Sequence, residues 1–336
     1  MEWQVLDELC PDVLEWCPDE ACPDVLVYGT YLLQPEQHVR SGAVHACRWK
    51  NAEEAGGSRL VELDTTELAG VYDLAWGPRA DDTIFLAAAV ADGTVSLLGL
   101  NTGAVHEASG KRPLNSLGCC QVLDGILTHV AWGAGSASGL AAVGQAGFAY
   151  HLTISEGSGE PVKVSERANH DMEAWCVEVS AFDSNLLLSG ADDGRLVGWD
   201  IRSPPEDPPA VVNRKAHEAG VTALACDPLR PGRLATGSYD EKVRVFDLRA
   251  LSASPVHETE RLGDGAYHLA WHPYEQDTLA VAAMRSGLPI LYFEGQQAEP
   301  TERMRHAAEA EEGCHGSLAY GVSWQQAPPR NGQGKC

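Results

Sequence analysis

The sequence predicts an all-β chain folded as a seven-bladed β-propeller whose last blade is incomplete. Three observations predict it. Short apolar runs ending in Trp recur every 45–60 residues along the 336-residue chain. The runs between them are short, β-branched and separated by Gly- and Asp-rich turns. Helical periodicity is nearly absent, with only residues 304–311 mildly helical inside a loop.

The units follow in order. Trp16-Cys17-Pro18, Trp76-Gly77-Pro78, Trp132-Gly133 and Trp271-His272-Pro273 each close an apolar strand. Val179 and Cys226-Asp227-Pro228 hold the same place in two more units, and Trp324 in the last. The first strands begin near Val13, Val71, Ile126, Ala174, Val221, Tyr267 and Tyr320. Units four and five are the sharpest. The fourth reads His170, then Leu-Leu-Leu-Ser189-Gly190-Ala-Asp-Asp193-Gly194, then Trp199-Asp200. The fifth reads His217, then Leu-Ala-Thr236-Gly237-Ser-Tyr-Asp240-Glu241, then Phe246-Asp247. This order of strands, D-G turn and closing W-D is the WD-repeat pattern.

After Trp324 the chain runs QQAPPRNGQGKC. The expected layout is one propeller over residues 1–324 and a disordered tail over 325–336. Trp3-Gln4-Val5-Leu6 reads as an outer strand that would close the ring. Strands b and c of the seventh blade have no counterpart in the sequence, so the chain reads as truncated there. Residues 36–44, 51–59, 103–122, 203–209 and 296–314 read as lengthened connections.

Composition narrows the function. There are 24 basic against 48 acidic residues, for a net charge of −24. A nucleic-acid ligand or an anionic membrane wants the opposite sign, so neither is expected. A partner with a basic face fits better. The start MEWQVLDELCPD is acidic and has no basic region leading an apolar run, so it is not expected to act as a signal peptide. The long stretch of residues 125–155 without Asp, Glu, Lys or Arg is broken by six glycines and reads as strands, not a membrane span. The ten cysteines show no C-x-x-C spacing, which fits a reduced, cytoplasmic protein without a metal. Hydrolase motifs, phosphate loops and dinucleotide fingerprints are absent, so no cofactor is expected.

Two groups of polar residues stand out. His170, Ser189, Asp193 and Trp199, and in the next unit His217, Thr236, Asp240 and Phe246, match the hydrogen-bonded set that holds WD blades together. Their default reading is structural. The second group belongs to the loops before each first strand and the turns after each second strand, which share one face. It comprises Asp171, Glu173, Trp175, Asp192, Tyr239, Glu241, Asp264, Tyr267, Arg285, Tyr28, Thr30, Tyr31, His315 and Tyr320. Carboxylates interleaved with aromatics suit a cationic, methylated ligand. A solvated acidic rim is the plainer reading of the same residues. His272 belongs to the opposite face and reads as a turn residue.

The strings His-Asp-Met-Glu-Ala-Trp175, Ser189-Gly-Ala-Asp-Asp-Gly-Arg-Leu-Val-Gly-Trp-Asp200, Gly-Ser-Tyr-Asp-Glu241, Trp-His-Pro273 and Ser-Leu-Ala-Tyr-Gly321 resemble the WD-repeat diphthine methyl ester esterase family of diphthamide biosynthesis. Glu-Trp-Cys-Pro18 and Tyr-Gly-Thr-Tyr31 resemble its first blade. The resemblance implies hydrolysis of a methyl ester on the modified histidine of elongation factor 2, whose side chain also bears a trimethylammonium group. It implies a cytoplasmic monomer acting without metal or organic cofactor. Under that reading Glu173 or His170 serves as base, and Tyr239 or Arg285 steadies the oxyanion. Trp175, Asp192, Glu241, Tyr267, Arg285 and Tyr320 bind the substrate. The chain departs from the family pattern at Ser323, where an acid commonly precedes the Trp. Two other classes remain open: a non-catalytic scaffold with an acidic face, and a methyl-group transferase, which lacks a Gly-rich site for its cofactor.

Overall fold

The computed structural model describes residues 11–34, 39–50, 59–106, 112–133, 139–155, 159–168, 170–293, 300–306 and 318–326. Trp3-Gln4-Val5-Leu6, His315 and residues 327–336 lie outside them.

Six antiparallel sheets stand around a central channel. Their innermost strands are Pro11–Trp16, Val71–Ala80, Leu127–Trp132, Ala174–Val179, Val221–Cys226 and His268–Trp271. Each starts within two residues of the predicted position. Blades two to six have four strands in sequence order, and blade one has five. Three lengthened connections run into strands: Val39–Lys50, the third strand of blade one, and Leu114–Gln121 and Thr301–His306, the outermost strands of blades two and six. The last corrects the helical reading at residues 304–306; residues 307–311 lie outside the described residues. Alternation there is masked by long polar side chains that an exposed outer strand tolerates.

The blade count is also corrected, from seven sheets to six. Among the described residues the seventh unit supplies only an extended segment, residues 318–326, with one isolated bridge between Ala319 and Met284. That segment lies between blades six and one. On one side His268 Nδ1 meets Val322 O at 3.1 Å, and the Trp324 indole donates to Ala270 O at 2.9 Å. On the other, Trp16 N–H donates to Ser323 Oγ, whose hydroxyl donates to Glu15 at 3.0 Å. Strong side-chain anchors replace the missing sheet.

The core is divided among the blade interfaces. Val13, Val27 and Val44 meet Val71, Leu74 and Leu86 between blades one and two. Val177, Leu187 and Trp199 face Ala141 and Val143 between three and four, and Val245, Leu269 and Trp271 meet between five and six. The recurring Trp is an interblade latch: Trp271 Nε1 donates to Ala225 O of the preceding blade at 3.0 Å, as Trp324 does to Ala270. The glycine of the Ser-Gly string has an equally local cause. A Cβ at Gly190 would come within 2.6 Å of Val221 on the next blade. Gly190→Val is therefore expected to lose about 1–3 kcal/mol by overpacking, read as a lower denaturation midpoint.

Both blade-binding sets form as expected. His170 meets Asp193 at 3.1 Å and Ser189 at 2.9 Å, and Trp199 Nε1 donates to the same hydroxyl at 3.2 Å. His217 meets Asp240 at 3.0 Å and Thr236 at 2.7 Å.

Candidate functional site along the channel

An inner strand has a free edge facing the channel, whose N–H and C=O groups need partners. Side chains from neighbouring blades supply them. Val130 N–H donates to Asp73 Oδ2 at 2.9 Å, and Cys226 N–H to Glu178 at 3.4 Å. Thr128 and Thr222 hydroxyls donate at 2.6 Å to Ala174 O and Ala266 O. Polar residues inside apolar strands thus bind the ring together.

A local irregularity repeats around it. In each of the first five inner strands the pairing slips by one residue, and the residue left out is Asp12, Tyr72, Thr128, Trp175 or Thr222. A bulge re-aims the side chain of its extra residue. Tyr267 and Tyr320 hold the corresponding place before the Leu-Ala-Trp and Val-Ser-Trp runs, and their rings pack edge-to-face at 4.8 Å. Tyr72 packs on Tyr31 at 4.9 Å, and Arg40 Nε donates to the Tyr31 hydroxyl. Burial raises the phenols of Tyr72, Tyr267 and Tyr320, and the charge of Asp12 raises each further. Burial, Asp192, Tyr320 and Asp264 do the same for Tyr239. Asp264 accepts from the Gly265 and Arg285 amides. Asp12 itself is pushed up to about 6 by burial. The predicted aromatic and acidic rim is therefore assembled around Tyr239, Tyr267 and Tyr320, with Asp12 and Tyr72 added to it.

Other predicted residues fall differently. Glu173 is an exposed carboxylate on the loop before the fourth inner strand, and its carbonyl accepts from Asp192 N–H at 2.9 Å. Trp175 is half-buried, and its Nε1 has no partner among the described residues. Glu241 sits at φ 70° and pairs with Arg261 at 3.6 Å. His170 is fully enclosed in the blade-four set. That position corrects its candidacy as base: both ring nitrogens are engaged with Asp193 and Ser189. Tyr28 and Thr30 are also buried rather than on the rim, Tyr28 stacked on His45 at 4.5 Å.

The sequence reading passed over the channel itself. A cavity of about 390 Å³ is lined by Glu15, Asp73, Glu178, His129, His268 and Ser323, with Trp edges and the prolines that follow them at its mouth. Burial pushes Glu15 up to about 8, helped by the charge of Asp73 and opposed by the Ser323 hydroxyl. Burial likewise takes Asp73 and Glu178 to about 7, against the Val130 and Cys226 amides. His129 is pushed down to about 4 by burial, so it is neutral where it approaches Asp73 at 3.4 Å. A second groove of about 810 Å³ contains Arg230, Arg233 and Arg249, each paired with an aspartate: Asp277, Asp227 or Asp247. Among the described residues no group of His, Cys, Asp or Glu is arranged to hold a metal, and no helix is long and apolar enough to cross a membrane.

Comparison with known proteins agrees with this architecture. The WD domain, G-beta repeat family matches residues 210–247, which hold the outer strand of blade four and the first three strands of blade five. The human protein named diphthine methyltransferase is 28% identical over 341 residues, covering 94% of this chain and 73% of its own length. The Dictyostelium discoideum diphthine methyltransferase homolog is 33% identical over 162 residues, 46% of this chain and 44% of its own. A chain in the crystal structure of the mitotic checkpoint complex superposes with a TM-score of 0.67 at 16% identity, over 95% of this chain and 84% of its own, which speaks for the fold alone. The chain folds as a WD-repeat β-propeller and is similar, over 94% of its length, to proteins named diphthine methyltransferase.

Proposed function

We propose that this chain hydrolyses the methyl ester of diphthine on elongation factor 2, leaving the free carboxylate and methanol. The supporting observation is the rim, where Tyr72, Tyr239, Tyr267 and Tyr320 lie close to Asp12, Asp192 and Asp264. Ring faces attract a quaternary ammonium, and nearby carboxylates complete its recognition without a hydrogen bond. Homology to proteins named for diphthine supplies the substrate class. An ester needs water, a base and a donor for the developing oxyanion. Tyr239 and Arg285 are the rim donors we assign to that oxygen, and Trp175, Glu173 and Glu241 are assigned to the approach of the basic partner.

Incubation of the chain with methyl-esterified elongation factor 2, followed by intact-mass measurement, tests the reaction. The expected result is loss of one CH2 with release of methanol. Saturable binding with unchanged mass would instead identify a scaffold. Recognition is tested separately by Tyr320→Ala. Removing one ring from the cation should raise KM about tenfold, as a cation–π contact is worth about 0.5–2 kcal/mol, with kcat little changed.

A further inference from the structure

We propose that Asp73 is the general base of this hydrolysis, acting on a water delivered through the channel cavity; the inference rests on the ester-hydrolase reading above. Three features of its position carry it. Asp73 follows the bulged Tyr72, so it lies one residue, about 3.3 Å of strand, below the aromatic layer. Its charge is felt at the Tyr267 phenol, across the layer that would hold the cation. From the other side it lines the cavity of about 390 Å³, which is polar and roomy enough for water. Substrate from the rim and water from the cavity meet at this carboxylate.

The carboxylate is also fixed. Val130 N–H holds Oδ2 at 2.9 Å, and the neutral His129 ring stands 3.4 Å away. The groups within electrostatic reach are Glu15 from blade one, His129 from blade three, Glu178 from blade four and His268 from blade six. Two of these are acids that share its burial. Burial pushes Asp73 up to about 7, against the Val130 amide, the charge of His268 and the Leu74 amide, so it is about half ionised near neutral pH, where a general base works best.

The step balances without a cofactor. Asp73 removes a proton from water as the water oxygen bonds to the ester carbonyl carbon. The tetrahedral adduct breaks its bond to the methoxy oxygen, and the proton on Asp73 passes to that oxygen to give methanol. The acid product then ionises and releases one proton to solvent. Glu173, on the exposed loop, has no such enclosed supply of water.

Asp73→Asn tests the assignment, because the amide oxygen still accepts from Val130 N–H. The variant should stay folded, with a thermal midpoint no lower than the parent's, and lose about 10²–10⁴-fold in kcat/KM. The parent chain should show an acid limb near pH 7, absent from the residual activity of the variant. A folded Asp73→Asn with parental turnover overturns the proposal and leaves the reaction standing. So does a loss found in Glu173→Gln instead. Should Asp73→Asn fail to fold, the parental pH profile still decides: an acid limb near 4, the range of an exposed carboxylate, excludes Asp73. A parent chain that releases no methanol at any pH overturns the hydrolase reading together with this inference.

Discussion

Asp240→Ala is expected to destabilise the propeller by about 3–5 kcal/mol, the cost of stripping one partner from a buried ion pair. The Asp240 side chain is 3% exposed and holds four partners at once: His217 at 3.0 Å, the Glu218 amide at 3.0 Å, the Lys242 amide at 3.1 Å and the Arg244 guanidinium at 2.5 Å. Burial alone would raise its carboxyl, yet His217 and Arg244 hold it well below the usual carboxylate range. Without it, Arg244, itself 8% exposed, keeps Glu258, the Ala216 carbonyl and its contact with the His217 ring. The equivalent change in blade four should cost less. Asp193 is tied to His170, but its nearby cation, Arg195, is 3.6 Å away, 23% exposed and already paired with Asp171. Asp193→Ala then strands hydrogen-bond partners rather than a buried guanidinium, worth about 1–3 kcal/mol. Urea denaturation of the two variants reads the difference. Equal losses would show that Arg244 contributes nothing through Asp240.

The blade-five set also explains how the sequence tolerates Phe246. In blade four Trp199 donates to Ser189, whereas in blade five Thr236 makes its remaining bond to Arg244 O at 3.4 Å and no indole is needed. Blades four and five were legible because their turns, hydroxyls and histidines are all in place. The seventh unit misled for a physical reason. Trp324 marks an inner strand wherever it packs on the preceding blade, and the latch to Ala270 forms whether or not a sheet follows. Tyr28 and Thr30 misled because a Tyr-Gly-Thr string reads as a turn, while in the fold it is the fully buried end of the strand Val25–Thr30.

The channel acids were missed for a different cause. Glu15, Asp73 and Glu178 each interrupt an apolar run of an inner strand, in Val-Leu-Glu-Trp, Val-Tyr-Asp-Leu-Ala-Trp and Cys-Val-Glu-Val. Period-two patterning treats such a residue as an exception within a strand. The signal was the exception itself: an ionisable group inside an inner strand must either bind the free edge or serve chemistry. Nothing in the local string says that Glu15 meets Ser323, 308 residues away in the chain.

These same carboxylates predict that the folded chain loses about 3 kcal/mol of stability between pH 6.5 and 8, at about 1.4 kcal/mol per group per pH unit. Their folded pKa values are raised, to about 8 for Glu15 and about 7 for Asp73 and Glu178. Unfolded, they ionise near pH 4. Over this window the folded state therefore holds protons that the unfolded chain has released, and rising pH favours unfolding. The contribution is fully present at low pH and gone above pH 8. The buried histidines work the other way. His129 and His268 are lowered in the fold, so the unfolded state binds more protons up to about pH 6.5 and stability there rises with pH. The two effects oppose each other below 6.5, and the acids act alone above it. Glu15→Gln isolates the largest share, about 2 kcal/mol across the window by the same arithmetic. The amide still accepts from the Ser323 hydroxyl, so the contact between blade one and the segment 318–326 survives. The variant should be more stable than the parent at pH 8 and should show a shallower decline from 6.5. Urea denaturation at the two pH values measures both. Parallel slopes for parent and variant would show that Glu15 is ionised and hydrated in the folded channel.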